Sequence, residues 1–282
     1  MSLDLDQRQR AVLQEMAVRV WLPQSAAPVV LPVAQSVVQP ARMAVKPMVA
    51  SSPEKITVHA QITAAQAPNT SHVRPEGIVG MDWPALQQAV SGCQACKLCA
   101  GRTNTVFGVG QAATEPRAAP QADWLVVGEA PGENEDRTGE PFVGQAGQLL
   151  DNMLKAIGLD RHNNVYIANV IKCRPPGNRN PEPQEVAQCE PYLRRQIELL
   201  QPKIILAMGR FAVNSLLQAT LPEVHKLPLG KLRGQVHSYQ SAGRTVPVIA
   251  TYHPAYLLRN LPEKAKAWAD LCLALDLMRR GE

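Results

Sequence analysis

The chain has 282 residues, a formal net charge of +5 and a hydrophobic fraction of 45%, which is enough for one large folded domain or two small ones. No apolar run approaches the roughly 18 residues of a membrane-spanning helix, and the start Met1-Ser2-Leu3-Asp4 lacks the basic beginning of a signal peptide. We therefore expect a soluble, cytoplasmic protein without a membrane partner. The modest positive charge permits a nucleic-acid partner without demonstrating one.

The first 82 residues form two segments of different composition. Residues 1–22 carry apolar side chains such as Val12, Met16 and Val20 at roughly helical spacing, which predicts a short amphipathic helix. Two interpretations of this helix stay open: it docks on its own domain or frays, or it is a tethered segment that binds a protein partner. Residues 23–82 are rich in Pro and Ala and contain no Phe, Tyr or Trp. Because such a segment buries too little apolar surface to offset its chain entropy, we expect a disordered linker.

The remaining residues, 83–282, predict one α/β domain. Short β-branched runs alternate with longer amphipathic ones, which is typical of a parallel sheet covered by helices on both faces. We therefore expect a three-layer α/β/α fold with a central, mainly parallel sheet. The predicted strands are 124–127, 165–168, 203–207 and 246–250, and the predicted helices are 144–157, 182–200, 210–219 and 263–279.

Polar or small residues follow each predicted strand. Glu129 follows the first strand, Asn169 the second, Gly209 the third and His253 the fourth. In a parallel sheet the carboxyl ends of the strands form one edge, where ligands bind. Core packing does not require this set of residues, so the pattern predicts an active site at that edge.

Cysteines form a second pattern. Cys93-x2-Cys96 is followed at long range by Cys173 and Cys189, which fits a four-thiolate site holding either a 4Fe-4S cluster or a structural zinc ion. Spacing alone does not choose between these metals, and buried cysteines without a metal are the alternative. Cys99 could supply a third local ligand, but we favour Cys93 and Cys96. The other two cysteines of the chain, Cys99 and Cys272, are treated as spare.

The segment around the first strand end is rich in glycine and carboxylates. Gly128 to Gly132 resembles a phosphate-binding turn but has neither the Lys and Ser/Thr of a P-loop nor the spacing of a dinucleotide fingerprint. No nucleotide cofactor is therefore expected. Phe142, bracketed by Pro and Gly rather than by a hydrophobic run, could stack on a planar ligand or be an ordinary core residue. The nearby carboxylates belong either to a shaped pocket or to a solvated loop: Glu129, Glu133, Glu135 and Asp136.

Several long motifs in one order resemble the family 4 uracil-DNA glycosylases, the iron-sulfur branch of the uracil-DNA glycosylase superfamily. The resemblance covers roughly residues 86 to 280. Its motifs are Cys93-x2-Cys96, GRT at 101 to 103 with VFG at 106 to 108, GEAPGENED at 128 to 136, TGEPFVGQAG at 138 to 147, NVIKCRPPGNRNP at 169 to 181, Cys189 and HPAYLLR at 253 to 259.

This resemblance implies a base-excision repair enzyme that hydrolyses the bond between uracil and deoxyribose in DNA. The flipped uracil is expected to stack on Phe142 and to be read by the amide of Asn169, with backbone groups near Glu129 and Ala130 completing the pocket. His253 is expected to stabilise the departing uracil anion. Better-known uracil glycosylases carry a catalytic Asp where this chain has Ala130. The carboxylate role is therefore expected to fall to Glu129 first and to Glu135 second.

The resemblance also implies a 4Fe-4S cluster held by four thiolates, with a structural role: Cys93, Cys96, Cys173 and Cys189. The expected partner is uracil-containing DNA, the expected state is a monomer, and Arg174, Arg179 and Arg259 are candidate phosphate contacts. A non-catalytic DNA-binding scaffold and a glycosylase of other deaminated bases stay open as alternatives. The chain departs from the compact family pattern by Cys99, by a Pro/Ala-rich insertion at 111–122 and by its first 80 residues.

Overall fold

The computed structural model describes residues 77–111, 119–120 and 122–280. The predicted N-terminal helix and most of the predicted linker lie outside the described residues. The last six residues of that linker, 77–82, belong to the folded part: Ile78 is buried in the core, and Arg195 Nε donates a hydrogen bond of 2.8 Å to the carbonyl of Met81. The folded part therefore begins before residue 83.

A six-stranded sheet runs through the described part of the chain in the order β1-β3-β2-β4-β6-β5. Its four inner strands β3, β2, β4 and β6 are parallel, and the edge strands β1 and β5 pair antiparallel with β3 and β6. The expected mainly parallel sheet is thereby confirmed. The strands are β1 (Val109–Gly110), β2 (Trp124–Gly128), β3 (Val165–Asn169), β4 (Ile204–Met208), β5 (Val236–Ser241) and β6 (Arg244–Thr251).

Both faces of the sheet are covered, which explains why the sequences of β2, β3 and β4 are almost continuously apolar instead of alternating between apolar and polar residues. Every residue of these three strands is buried. Along β2, Leu125 and Val127 pack into one core, while Trp124 and Val126 pack into the core on the opposite face. The two cores are the interfaces of the three expected layers.

Eight α-helices surround the sheet in the described residues. One of them begins at a proline, Pro183, and there the Glu185 carboxylate accepts a hydrogen bond of 2.8 Å from the N–H of Glu182. The helices are α1 (Trp83–Ser91), α2 (Glu133–Thr138), α3 (Gln145–Ala156), α4 (Pro183–Leu200), α5 (Arg210–Leu217), α6 (Leu229–Leu232), α7 (Pro254–Arg259) and α8 (Lys264–Arg280). No helix among the described residues is long and apolar enough to cross a bilayer.

The four predicted strands and four predicted helices are all present within a few residues of their expected bounds. The elements without a prediction are the edge strands β1 and β5 and four helices, of which α2, α6 and α7 are short. The insertion at 111–122 lies between β1 and the amino end of β2, so it enters the sheet at the end opposite Glu129.

Candidate functional site

A pocket of about 740 Å³ opens at the carboxyl ends of the four parallel strands. The sequence predicted a site at this edge, and the structure brings the residues of all four strand ends into the pocket wall. The predicted residues that line it are Glu129, Ala130, Glu135, Phe142, Asn169, Arg179, Gly209, His253 and Arg259. Arg174 does not line the pocket and lies nearby, bonded to Glu133 and Asn178.

The ring of Phe142 forms one wall of the pocket. It stacks on the ring of His253, with centroids 5.3 Å apart and planes inclined by 27°. Gly128 leaves room for this ring: a Cβ at Gly128 would lie 2.6 Å from Phe142 Cζ and 2.4 Å from Asn169 Oδ1. Gly128 is therefore required by the close approach of the backbone to two pocket side chains.

Asn169 ends β3 and is only 2% exposed. Its Oδ1 atom is buried and has no hydrogen-bond partner among the described residues. An unpaired buried amide oxygen is energetically unfavourable, so such an atom in a pocket wall indicates a polar ligand. The backbone of Asn169 is held in place without any pocket ligand, because its carbonyl accepts a hydrogen bond of 2.8 Å from Lys172 Nζ.

His253 precedes α7 and presents a neutral ring. Burial and, to a smaller extent, the nearby Arg259 lower the pKa of His253 to about 4, against the opposing effect of Glu135. Nδ1 accepts a hydrogen bond of 3.2 Å from the N–H of Ala255. Because Nδ1 is an acceptor in a neutral ring, the proton is on Nε2, which makes this atom a hydrogen-bond donor at neutral pH.

The two candidate carboxylates have different surroundings. Burial raises the pKa of Glu129 to about 7. Glu135 instead accepts three backbone hydrogen bonds: Oε2 accepts one of 3.0 Å from Gly132, and Oε1 accepts 2.9 and 3.1 Å bonds from Val143 and Gly144. The lone pairs of Glu135 are thus largely engaged in shaping the loop, whereas Glu129 has a proton affinity suited to acid-base chemistry near neutral pH.

Positive charge lines one side of the pocket. Arg179 is paired with Glu185 through contacts of 2.6 and 2.9 Å, so its charge is largely compensated. Arg259 forms no hydrogen bond or ion pair with another described residue. Its charge acts on His253 through electrostatics alone. The sequence analysis did not single out several other lining residues, among them Arg210, Tyr252 and Tyr256. Signals for two of them existed, since Arg210 follows Gly209 at a strand end and Tyr256 lies within the HPAYLLR motif.

The predicted cysteines meet at a second place in the fold. A small cavity of about 10 Å³ is lined by Cys93, Cys96, Cys99, Cys173 and Cys189, whereas Cys272 lies on α8. Arg102 Nη1 donates to Cys173 Sγ at 3.1 Å, and the N–H of Lys172 donates to Cys189 Sγ at 3.3 Å.

Burial raises the pKa of the Cys173 thiol to about 11 and that of Cys189 to about 12. A metal would therefore have to displace these thiol protons on binding. Within the described residues no three His, Cys, Asp or Glu side chains are arranged to hold a single metal ion.

The chemistry of this donor set nevertheless fits an iron-sulfur cluster. Four soft sulfur ligands favour iron-sulfur or zinc over harder ions, and a four-iron cluster spaces its thiolates farther apart than a single ion does. Two cations, Arg102 and the buried Lys172, adjoin the sulfur atoms and would offset their negative charge.

Comparisons with known proteins agree with this architecture. The model of the family described as the uracil DNA glycosylase superfamily matches residues 116–272. A type-4 uracil-DNA glycosylase of Archaeoglobus fulgidus is 44% identical over 173 residues, which are 61% of this chain and 81% of that protein. A type-4 enzyme of Pyrobaculum aerophilum is 38% identical over 68% of this chain and 93% of its own length. A type-5 enzyme of the same organism is 32% identical over 48% of this chain and 62% of its length.

The chain therefore belongs to the uracil DNA glycosylase superfamily. Within it, the type-4 enzymes are relatives that this chain matches over most of their length. The family resemblance drawn from the sequence motifs is confirmed.

Proposed function

We propose that this protein is a uracil-DNA glycosylase that hydrolyses the N-glycosidic bond of uracil in DNA and leaves an abasic site. The observation that carries the proposal is the buried Oδ1 of Asn169, which has no partner among the described residues and lies beside Phe142 in the pocket wall. A uracil base offers both a flat face for the ring and a polar edge for the amide. Excision of uracil from DNA is the first step of base excision repair.

Binding requires the uracil nucleotide to leave the base stack. In the proposed complex the base stacks on Phe142, and its polar edge pairs with the amide of Asn169. Backbone groups of Glu129 and Ala130 close the pocket. Since a site built for hydrogen bonding rejects bases that leave its polar groups unpaired, Asn169 supplies most of the base discrimination.

Cleavage of the glycosidic bond leaves negative charge on uracil and positive charge on the sugar. The neutral Nε2–H of His253 donates to a uracil oxygen and stabilises the anion without transferring its proton. As the bond between uracil and the anomeric carbon breaks, its electron pair leaves with uracil. The ionised carboxylate of Glu129 favours the sugar cation and orients the water, whose oxygen bonds to the anomeric carbon while its proton passes to Glu129 and then to the released uracil anion. Glu135 is the second candidate for this role, and its three backbone hydrogen bonds favour Glu129.

Phosphates of the DNA are proposed to contact Arg174, Arg179 and Arg259. Such contacts set affinity and salt dependence rather than base choice. Arg259 is expected to contribute most of the three, because Arg174 and Arg179 are already paired with Glu133 and Glu185.

The cofactor is proposed to be a 4Fe-4S cluster held by Cys93, Cys96, Cys173 and Cys189. When bound, it would supply a covalent link from the loop before Arg102 to Cys173, in the segment that follows β3, and to Cys189, on α4. We further propose that the protein is cytoplasmic and monomeric, and that residues 1–22 bind a protein partner.

The test is a single-turnover assay with the full-length protein in excess over an oligonucleotide containing one uracil. Abasic product is expected from the wild type. Asn169→Ala is expected to be slower by about 10- to 10²-fold, because one or two hydrogen bonds of up to about 1.5 kcal/mol each are lost. Asn163→Ala, which changes an exposed asparagine outside the pocket, serves as the control.

Two outcomes would contradict the proposed function. DNA binding without excision of any base would identify a non-catalytic scaffold. Excision of hypoxanthine or xanthine, with uracil left intact, would identify a glycosylase with a different substrate.

A further inference from the structure

The backbone of Phe142 adopts an unusual conformation. Its φ of 54° lies in the left-handed region, which bulky side chains rarely occupy. Such a conformation persists only where the surrounding structure fixes it. The residues that fix it therefore also determine the direction of the Phe142 ring.

Hydrogen bonds hold the backbone on both sides of Phe142. After it, the N–H groups of Val143 and Gly144 donate to Glu135 Oε1. The Phe142 carbonyl itself accepts a hydrogen bond of 2.8 Å from Arg161 Nη2, and Arg161 Nη1 lies 3.4 Å from the carbonyl oxygen of Pro141. Thus the Glu135 carboxylate binds the backbone N–H groups that follow Phe142, and the Arg161 guanidinium binds the backbone carbonyls of the same turn.

Arg161 is itself well oriented. Its side chain is 13% exposed, and its Nε donates to Asp151 Oδ1 at 2.7 Å. With Nε bound to the Asp151 carboxylate on α3, the guanidinium directs Nη2 at the Phe142 carbonyl and Nη1 at the Pro141 carbonyl. Arg161 does not line the pocket, so it reaches Phe142 from behind the wall rather than from the ligand side.

The Phe142 carbonyl has little space to move. A Cβ at Gly147 would lie 1.7 Å from this oxygen, so the carbonyl packs directly against the first turns of α3. Loss of the guanidinium would leave the oxygen without its donor in a confined position. Without the guanidinium we expect the Phe142 backbone to rotate, and this rotation would carry the ring away from Gly128 and His253.

We propose that Arg161, oriented by Asp151, is a positioning residue that holds the Phe142 ring at the angle required to stack on the flipped base. This inference rests on the proposed stacking role of Phe142. Arg161 touches neither the base nor the sugar and acts only through the backbone of Phe142. A misplacement of about 1 Å in such a wall can slow a reaction by about 10²-fold.

The test is a double-mutant cycle on single-turnover excision at saturating enzyme. Arg161→Gln is expected to slow excision by about 10- to 100-fold, and Asp151→Asn by a smaller factor. Arg161→Lys, which keeps one charged donor, is expected to recover part of the rate. Affinity for an undamaged oligonucleotide is expected to stay unchanged in all three variants. The matched control is Arg194→Gln, which removes an exposed arginine on α4.

The second arm of the cycle uses Phe142→Leu, which removes the ring but keeps a similar apolar volume. If Arg161 acts through the ring, Arg161→Gln changes the rate of Phe142→Leu by less than about twofold. If Arg161→Gln slows Phe142→Leu by the same factor as it slows the wild type, the inference is overturned while the stacking role stays intact. A wild-type rate for Phe142→Leu alone would instead overturn the stacking role. Should Arg161→Gln fail to fold, Arg161→Lys and Asp151→Asn complete the same cycle.

Discussion

Replacement of His253 by Ala tests the proposed stabilisation of the uracil anion. The neutral Nε2–H would be the donor that faces a developing negative charge in a partly buried pocket. Removing one such donor from an anion site raises the barrier by about 3 to 4 kcal/mol, which is a factor of about 10² to 10³ in rate. His253→Gln, which restores a neutral donor on a flexible chain, is expected to lie between the wild type and His253→Ala.

The pH dependence gives a second measure of the same role. Because the pKa of His253 is lowered to about 4, the ring stays neutral from about pH 5 upward. Protonation of His253 should therefore not change the excision rate between about pH 5.5 and 8. The assay is single-turnover excision from a uracil oligonucleotide, with cleavage of the abasic product in alkali. A loss below 10-fold in His253→Ala, or a titration near pH 6.5 that this variant removes, would refute the reasoning.

Three further changes test other parts of the site. Glu129 is protonated below its pKa of about 7 and ionised above it, so the wild-type excision rate should rise between pH 6 and 8. In the same assay Glu129→Gln should be slow and should lack this rise. Cys189→Ser should lose bound iron, visible absorbance and thermal stability before any specific loss of excision rate. Cys272→Ser should keep its iron, and equal iron contents in the two variants would exclude Cys189 as a ligand. Gly128→Ala should slow excision by at least about 10²-fold, since its Cβ overlaps Phe142 and Asn169. Gly92→Ala, whose Cβ meets only an atom 3.7 Å away, should leave the rate unchanged.

Strands β2, β3 and β4 were predictable because every residue in them is buried and their apolar sequences are almost unbroken. β5 was missed because it is an edge strand, Val236–Ser241, whose polar side chains are mostly half-buried and give little contrast between faces. Helix α2 was missed because its six residues, Glu133–Thr138, are all charged or polar and give no apolar periodicity. Its start is set by the Glu135 contact with Gly132.

The candidate site was predictable where its residues follow strand ends, as Glu129, Asn169 and His253 do. It was not predictable where a role depends on contacts between distant segments. Arg161 lies 19 positions from Phe142 in the chain, and nothing in its local sequence indicates that it donates to the Phe142 carbonyl. Glu135 shows the converse: its sequence context predicted reaction chemistry, while its hydrogen bonds shape the surrounding loop.

The position of the Pro/Ala-rich insertion between Gly110 and Trp124 has a consequence for how the chain can vary. The segment enters β2 at its amino end, and the pocket opens at the carboxyl end of the same strand. Five buried residues of β2 separate the two ends, about 17 Å of extended chain. A change in the number of residues between Gly110 and Trp124 would therefore act on the edge of the sheet opposite the pocket, one strand length away from Glu129.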